Sequence, residues 1–159
     1  MLPAHERLRK TSVFQRAYAA RNSVSFGCGT LYVLHRRPPG GKSGAKARPE
    51  AAAKAKSGNQ LKLPLVGFSI SKKVFKSACK RNRAKRRVRE AYRLVKNGFD
   101  ESFRQEAAMH RWYALVYVIN PTALTLGFTE IAAAIRESLI KAGKKFGQKQ
   151  WFQEYYFCF

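Results

Sequence analysis

Two periods of hydrophobicity run along the chain, one near 3.6 residues for helices and one of two residues for half-buried strands. Phe14, Ala17 and Tyr18 follow the helical spacing, and Ser12-Val13-Phe14-Gln15 has the S-x-x-Q form of a capping box. This predicts a short amphipathic helix over residues 13–20. Residues 22–29 read as a turn, and Thr30-Leu31-Tyr32-Val33-Leu34 as a β-rich strand. Leu65-Val66-Gly67-Phe68-Ser69-Ile70-Ser71 alternates, with Val66, Phe68 and Ile70 on one face and Gly67, Ser69 and Ser71 on the other. That second face is small and polar, which leaves room for a ligand against the sheet.

A longer helix follows. Ala84, Val88, Ala91, Tyr92 and Val95 stand at i, i+4, i+7, i+8 and i+11, the stripe of a core-facing helix. Asn97-Gly98 ends it, with Gly98 as a left-handed terminator. Residues 99–111 are polar and partly helical. Trp112-Tyr113-Ala114-Leu115-Val116-Tyr117-Val118-Ile119 is continuously apolar, as a central strand covered on both faces should be, and Pro121 stops it. Ile131, Ile135, Leu139 and Ala142 predict a final helix over residues 128–142, with Lys141, Lys144 and Lys145 at the end where cations suit the helix dipole.

Composition changes this picture in two places. Residues 36–62 carry Pro38, Pro39, Gly40, Gly41, Gly44 and Pro49 and then an Ala/Lys-rich piece, so they read as a flexible basic loop between two strands. Gly41-Lys42-Ser43 imitates the end of a phosphate-binding loop, but the motif needs glycine at Arg36 and a strand-to-helix context. Residues 146–159 hold seven aromatics: Phe146, Trp151, Phe152, Tyr155, Tyr156, Phe157 and Phe159. The expected organisation is one domain over residues 1–145 with an insertion at about 36–63, then an aromatic tail over 146–159 that docks or meets a partner.

Charge then dominates. Thirty-two Lys and Arg stand against nine Asp and Glu, a net charge of +23. Twelve of those cations lie between Lys72 and Lys96, with Glu90 as the one acid among them. Asn82, Lys85, Arg86, Arg89, Arg93 and Lys96 spread over the polar side of the long helix, and Arg83 and Arg87 continue round its back. Like charges at i, i+3 and i, i+4 destabilise an isolated helix by about 0.2–0.5 kcal/mol per pair, so an anionic partner is expected. Nucleic acid is the first candidate and an anionic membrane surface the second. No run reaches the ~20 apolar residues of a spanning helix and the N-terminus has no apolar signal region, so a cytoplasmic protein is expected. Cys28, Cys79 and Cys158 show no paired spacing and read as reduced thiols, and His5, His35 and His110 stand alone. Phe14 and Tyr18 lie among Arg7, Arg9, Lys10, Arg16 and Arg21. Packing is the commoner fate of such a pair, stacking on nucleotides the alternative.

Arg7-Leu8-Arg9-Lys10, the Phe14/Tyr18 helix, Val66-Gly67-Phe68-Ser69-Ile70-Ser71-Lys72-Lys73-Val74 and, above all, Arg81-Asn82-Arg83-Ala84-Lys85-Arg86-Arg87-Val88-Arg89-Glu90-Ala91-Tyr92 resemble the protein subunit of bacterial ribonuclease P. R-N-R alone is a poor signal; preceded at this distance by V-G-x-S-x-S-K-K it is specific. The likeness covers residues 7–142 apart from the insertion, and Phe75 stands where the family commonly has glycine. It implies an α/β (α+β) two-layer sandwich, helix-strands-helix-strand-helix, with a mixed sheet and a left-handed strand-helix-strand crossover where general rules favour the right hand.

The same resemblance implies that Arg81, Asn82, Arg83, Lys85, Arg86 and Arg89 contact a catalytic RNA subunit. It implies that Phe14, Tyr18, Tyr32, Phe68, Lys72 and Lys73 form a cleft for the single-stranded 5′ leader of precursor tRNA. Mg²⁺ would enter through the RNA rather than a protein site, with no catalytic residue on the protein, no small-molecule cofactor and no membrane partner. The acids agree with this division. Two-metal phosphodiester cleavage needs clustered carboxylates, and the nine here are scattered, with Asp100-Glu101 the only adjacent pair. A structural RNA-binding protein of ribosomal type and a protein-only nuclease are the rivals.

Overall fold

A computed structural model describes residues 2–36, 63–107 and 109–146; the basic insertion and the aromatic tail beyond Phe146 lie outside them. Four strands form one mixed sheet: β1 (Ser23–Phe26), β2 (Gly29–His35), β3 (Leu65–Ser69) and β4 (Trp112–Ile119), in the order β1-β2-β4-β3. β1, β2 and β4 pair antiparallel, and β3 runs parallel to β4. The helices are α1 (Thr11–Ala19), α2 (Ala78–Asn97), α3 (Glu101–Glu106) and α4 (Phe128–Phe146). α2 therefore bridges the parallel pair β3 and β4.

Alternation assigns the two faces. Leu31, Val33, Val66, Leu115, Tyr117 and Ile119 join Ala84, Val88, Ala91 and Tyr92 of α2 and Ile131, Ile135, Leu139 and Ala142 of α4 in the main core. Leu34, Ala114 and Val116 point the other way and receive Val13 and Ala17 of α1, with Leu8 beside them. β4 is covered on both faces, as its unbroken apolar run requires, and the buried stripe of α2 is the predicted one. The sandwich thus has α2 and α4 on one side and α1 laid across part of the other.

Four local expectations change. Residues 23–26 form an edge strand rather than a turn; the turn proper is Gly27-Cys28. Lys10, not Ser12, is the N-cap of α1, and no side chain caps it. Gly98 closes α2 at φ −93, outside the left-handed region. α4 continues one turn past Ala142 to Phe146. Arg21, at φ 53, carries the chain from α1 into β1.

Both sheet edges are partly covered. The Leu8 N–H donates to the Val66 carbonyl at 2.9 Å on the outer side of β3, and the Lys145 ammonium donates to the Ser23 carbonyl at 3.2 Å on β1. The N-terminal arm is held again by Lys96, whose ammonium contacts both oxygens of Glu6 at 2.5 and 2.6 Å.

Candidate nucleic-acid interface

The approach to α2 is a hydrogen-bonded turn. The Ser71 carbonyl accepts from the N–H groups of Val74 and Phe75, each at 3.2 Å, and buried Phe75 anchors the turn in the core. Arg81 closes it from the helix side, donating Nη1 to the carbonyls of Phe75 at 2.7 Å and Lys76 at 2.9 Å. Lys72, Lys73 and Lys76 are exposed around this turn. Ser77 takes the N-cap position without a side-chain bond, and no acid stands in the first turn. A helix start with free N–H groups, a positive dipole end and cations around it is unfavourable alone and favourable beside phosphate.

Of the twelve cations of the turn and helix, Arg89 lies over the Phe68 ring and the other eleven divide into two sets. Arg81 is tied to carbonyls, Arg93 to Glu90 and Lys96 to Glu6. Arg87 reaches α4's approach, donating to the carbonyls of Ala123 at 3.0 Å, Leu124 at 2.7 Å and Leu126 at 2.5 Å. These four serve the fold, and Arg93 in turn holds the Glu90 carboxyl below its ordinary range through their hydrogen bond. Lys72, Lys73, Lys76, Lys80, Arg83, Lys85 and Arg86 have no carboxylate or carbonyl partner among the described residues, and all seven lie on the turn or the first half of α2.

Arg87→Ala is accordingly expected to lower stability by about 2–3 kcal/mol, because three carbonyls lose a charged donor. Urea unfolding measures this, and RNA affinity per folded molecule should stay within about twofold of the parent, because the Arg87 donors are held on the carbonyls of Ala123, Leu124 and Leu126 rather than offered to a phosphate.

On the α1 face the register aligns two rows across all four strands. Ser23, Tyr32, Val116 and Gly67 make one, and Ser25, Thr30, Val118 and Ser69 the next. Phe14 seats directly on the first row: a Cβ added to Gly67 would lie 2.6 Å from its ring and 3.0 Å from Leu8. The room expected opposite Val66 is therefore taken by Phe14 at this point. Exposed Tyr18 meets Tyr32 edge to face at 5.1 Å between centroids. The second row is lined by hydroxyls, with Ser25 exposed and Thr30, Val118 and Ser69 half-buried. Three strand spacings make it about 14 Å long.

The structure brings Phe14, Tyr18 and Tyr32 together and separates Phe68 from them. Phe68 lies on the opposite face, stacked on Tyr117 at 5.6 Å and edge-on to Tyr92 at 6.2 Å. The physical reason is the period of two: a residue beside Gly67 in a strand must point away from Phe14. Lys72 and Lys73 follow the C-terminal end of β3. Ser25 escapes sequence reasoning because residues 22–29 read as a turn, although Ser23-Val24-Ser25-Phe26 alternates; Thr30 falls in the predicted strand, and only its pairing with Ser25 and Val118 marks it as part of the row. Burial raises the Tyr92 and Tyr117 hydroxyls well above their ordinary range, so both are neutral core groups. Among the described residues no three His, Cys, Asp or Glu side chains cluster as metal ligands, and no helix is long and apolar enough to cross a membrane.

A mixed four-stranded α/β domain with one strongly cationic helix is the class these features define. The family model for Ribonuclease P matches residues 2–143, and the chain belongs to that family. It is 30% identical over 142 residues to the ribonuclease P protein component of Synechococcus sp. (strain JA-2-3B'a(2-13)), covering 89% of this chain and 85% of that one. The ribonuclease P protein component of Symbiobacterium thermophilum is 28% identical over 137 residues, covering 86% and 90%. Among solved structures, the ribonuclease P protein of Staphylococcus aureus shares the fold with a TM-score of 0.53 at 19% identity, over 86% of this chain and 94% of that one.

Proposed function

We propose that this chain serves as the RNA-docking and substrate-holding component of ribonuclease P: α2 and its preceding turn bind a catalytic RNA, and the α1 face of the sheet receives the 5′ leader of precursor tRNA. The observation that carries the first half is the sorting of cations: among the described residues, seven without a carboxylate or carbonyl partner gather on the turn and first half of a single helix. Their mutual repulsion is relieved by phosphate, and the counterions released on docking supply a salt-dependent affinity. The second half rests on an exposed tyrosine beside a hydroxyl-lined strip, a surface that stacks and hydrogen-bonds single-stranded nucleotides with little sequence demand.

Bond cleavage belongs to Mg²⁺ held by the RNA. The chain's own residues neutralise and position. The work fits a bacterial cytoplasm, where precursor tRNA is processed.

Reconstitution tests this directly. Purified chain, precursor tRNA and the cognate RNA subunit are combined at low Mg²⁺, with each omitted in turn. Cleavage that needs the RNA and is enhanced by the chain supports the proposal; enhancement absent favours a structural RNA-binding protein, and cleavage by the chain alone favours a nuclease. Within the cleft, Tyr18→Ala is the sharper probe, since Phe14 also seats α1. It should weaken binding of precursor tRNA by about fivefold or more, the low end of one lost base stack, and leave mature tRNA unchanged. Equal losses for both would remove the leader from the α1 face.

A further inference from the structure

We infer that Phe68 is a positioning residue for Arg89, holding its guanidinium on a fixed aromatic face and so setting where that charge meets a phosphate. This rests on the docking role proposed for α2. Arg89 Cζ lies 5.9 Å from the Phe68 ring centroid. The ring cannot swing away easily: it stacks on Tyr117 with planes 14° apart and meets Tyr92 at 72°, and those two tyrosines are 0% and 1% exposed. A buried aromatic tier thus ends, at the sheet's edge, in a cation.

Arg89 needs such a support. Arg86 stands three residues before it, Lys85 four before and Arg93 four after, so its helical neighbours repel it. Glu90, the nearest acid in sequence, is engaged by Arg93. A long side chain without an anchor would have to be ordered when RNA arrives, and pre-ordering it raises affinity. A ring face also holds a guanidinium without consuming its N–H donors, leaving them for a planar, two-point grip on phosphate. Arg81 and Arg87 differ here, since carbonyls already occupy their donors.

The test measures affinity for the cognate RNA subunit, its salt dependence and the melting temperature for Phe68→Leu, Arg89→Gln and the double variant. Arg89→Gln should weaken binding about five- to eightfold near 0.1 M salt and lower the salt slope by about 0.7–0.9. Phe68→Leu should weaken it roughly two- to fivefold, the range of one exposed cation–π contact. The double variant should be no weaker than Arg89→Gln, and Phe68→Tyr should bind like the parent. If leucine loosens the core, Phe68→Met keeps the volume without a ring and must give the same loss.

Unchanged affinity in the ringless variants, or an equal further loss on the Arg89→Gln background, overturns the positioning role. If Arg89→Gln is silent while Arg83→Ala and Arg86→Ala weaken binding, the positioning role falls and the docking helix stands. If all three are silent, the docking assignment falls with it.

Discussion

Replacing Lys80, Arg83 and Arg86 together by alanine is expected to weaken RNA binding by roughly 100- to 500-fold near 0.1 M salt while raising the melting temperature. The first effect follows from counterion release, in which each lost phosphate contact removes about 0.7–0.9 from the salt slope, or roughly five- to eightfold at that salt. The second follows from where the three side chains stand. All are exposed, and none pairs with an acid among the described residues. Their removal relieves repulsion between Lys80 and Arg83, Arg83 and Arg86, Arg83 and Arg87, and Arg86 and Arg89, at about 0.2–0.5 kcal/mol each. It also takes one cation from the positive end of the helix dipole and adds three strong helix formers. Opposite signs for affinity and stability are what separate a docking surface from a folding surface. Binding titrations from about 50 to 200 mM salt, with a thermal melt of each sample, read both. A fall in both quantities together would mean that these residues serve the fold.

Gly29→Ala is expected to be the most damaging single substitution for stability. Its backbone stands at φ +151, and a Cβ there would lie 1.9 Å from the Val118 carbonyl oxygen and 3.0 Å from that carbonyl carbon. The obstacle is backbone of the central strand, which cannot turn aside as a side chain can. Backbone strain of about 1–3 kcal/mol and overpacking of about 1–3 kcal/mol together approach the ~5–15 kcal/mol that holds a domain folded. Gly29 also pairs with Ile119 and Phe26, and Thr30 next to it belongs to the hydroxyl row. Hydrogen exchange should therefore show lost protection in β1 and β2 before α4. A variant that melts within a few degrees of the parent would contradict the close approach.

Much of this was legible in the residues, because the strongest signals are local. The stripe on α2 needs only its own spacing, and β4 announces burial on both faces by having no polar residue between Trp112 and Ile119. β1 is not legible because an edge strand buries one face only and its serines imitate a turn. Charge marks α2 as the candidate interface but does not say which of its cations lack a partner. Arg87 and Arg83 are alike in sequence, and only the carbonyls of Ala123, Leu124 and Leu126, some forty residues on, separate them. Phe68 differs for another reason: resemblance groups it with the other aromatics near the sheet, whereas the alternation of Val66, Phe68 and Ile70 puts it on the α2 side.

The N-terminal arm has a consequence for handling the protein in solution. By bonding to Val66 along the outer side of β3 and by tying Glu6 to Lys96, it shields a strand edge that would otherwise offer its backbone to a neighbouring molecule. Bulky fusions or cuts close to Leu8 should therefore favour concentration-dependent self-association through β3.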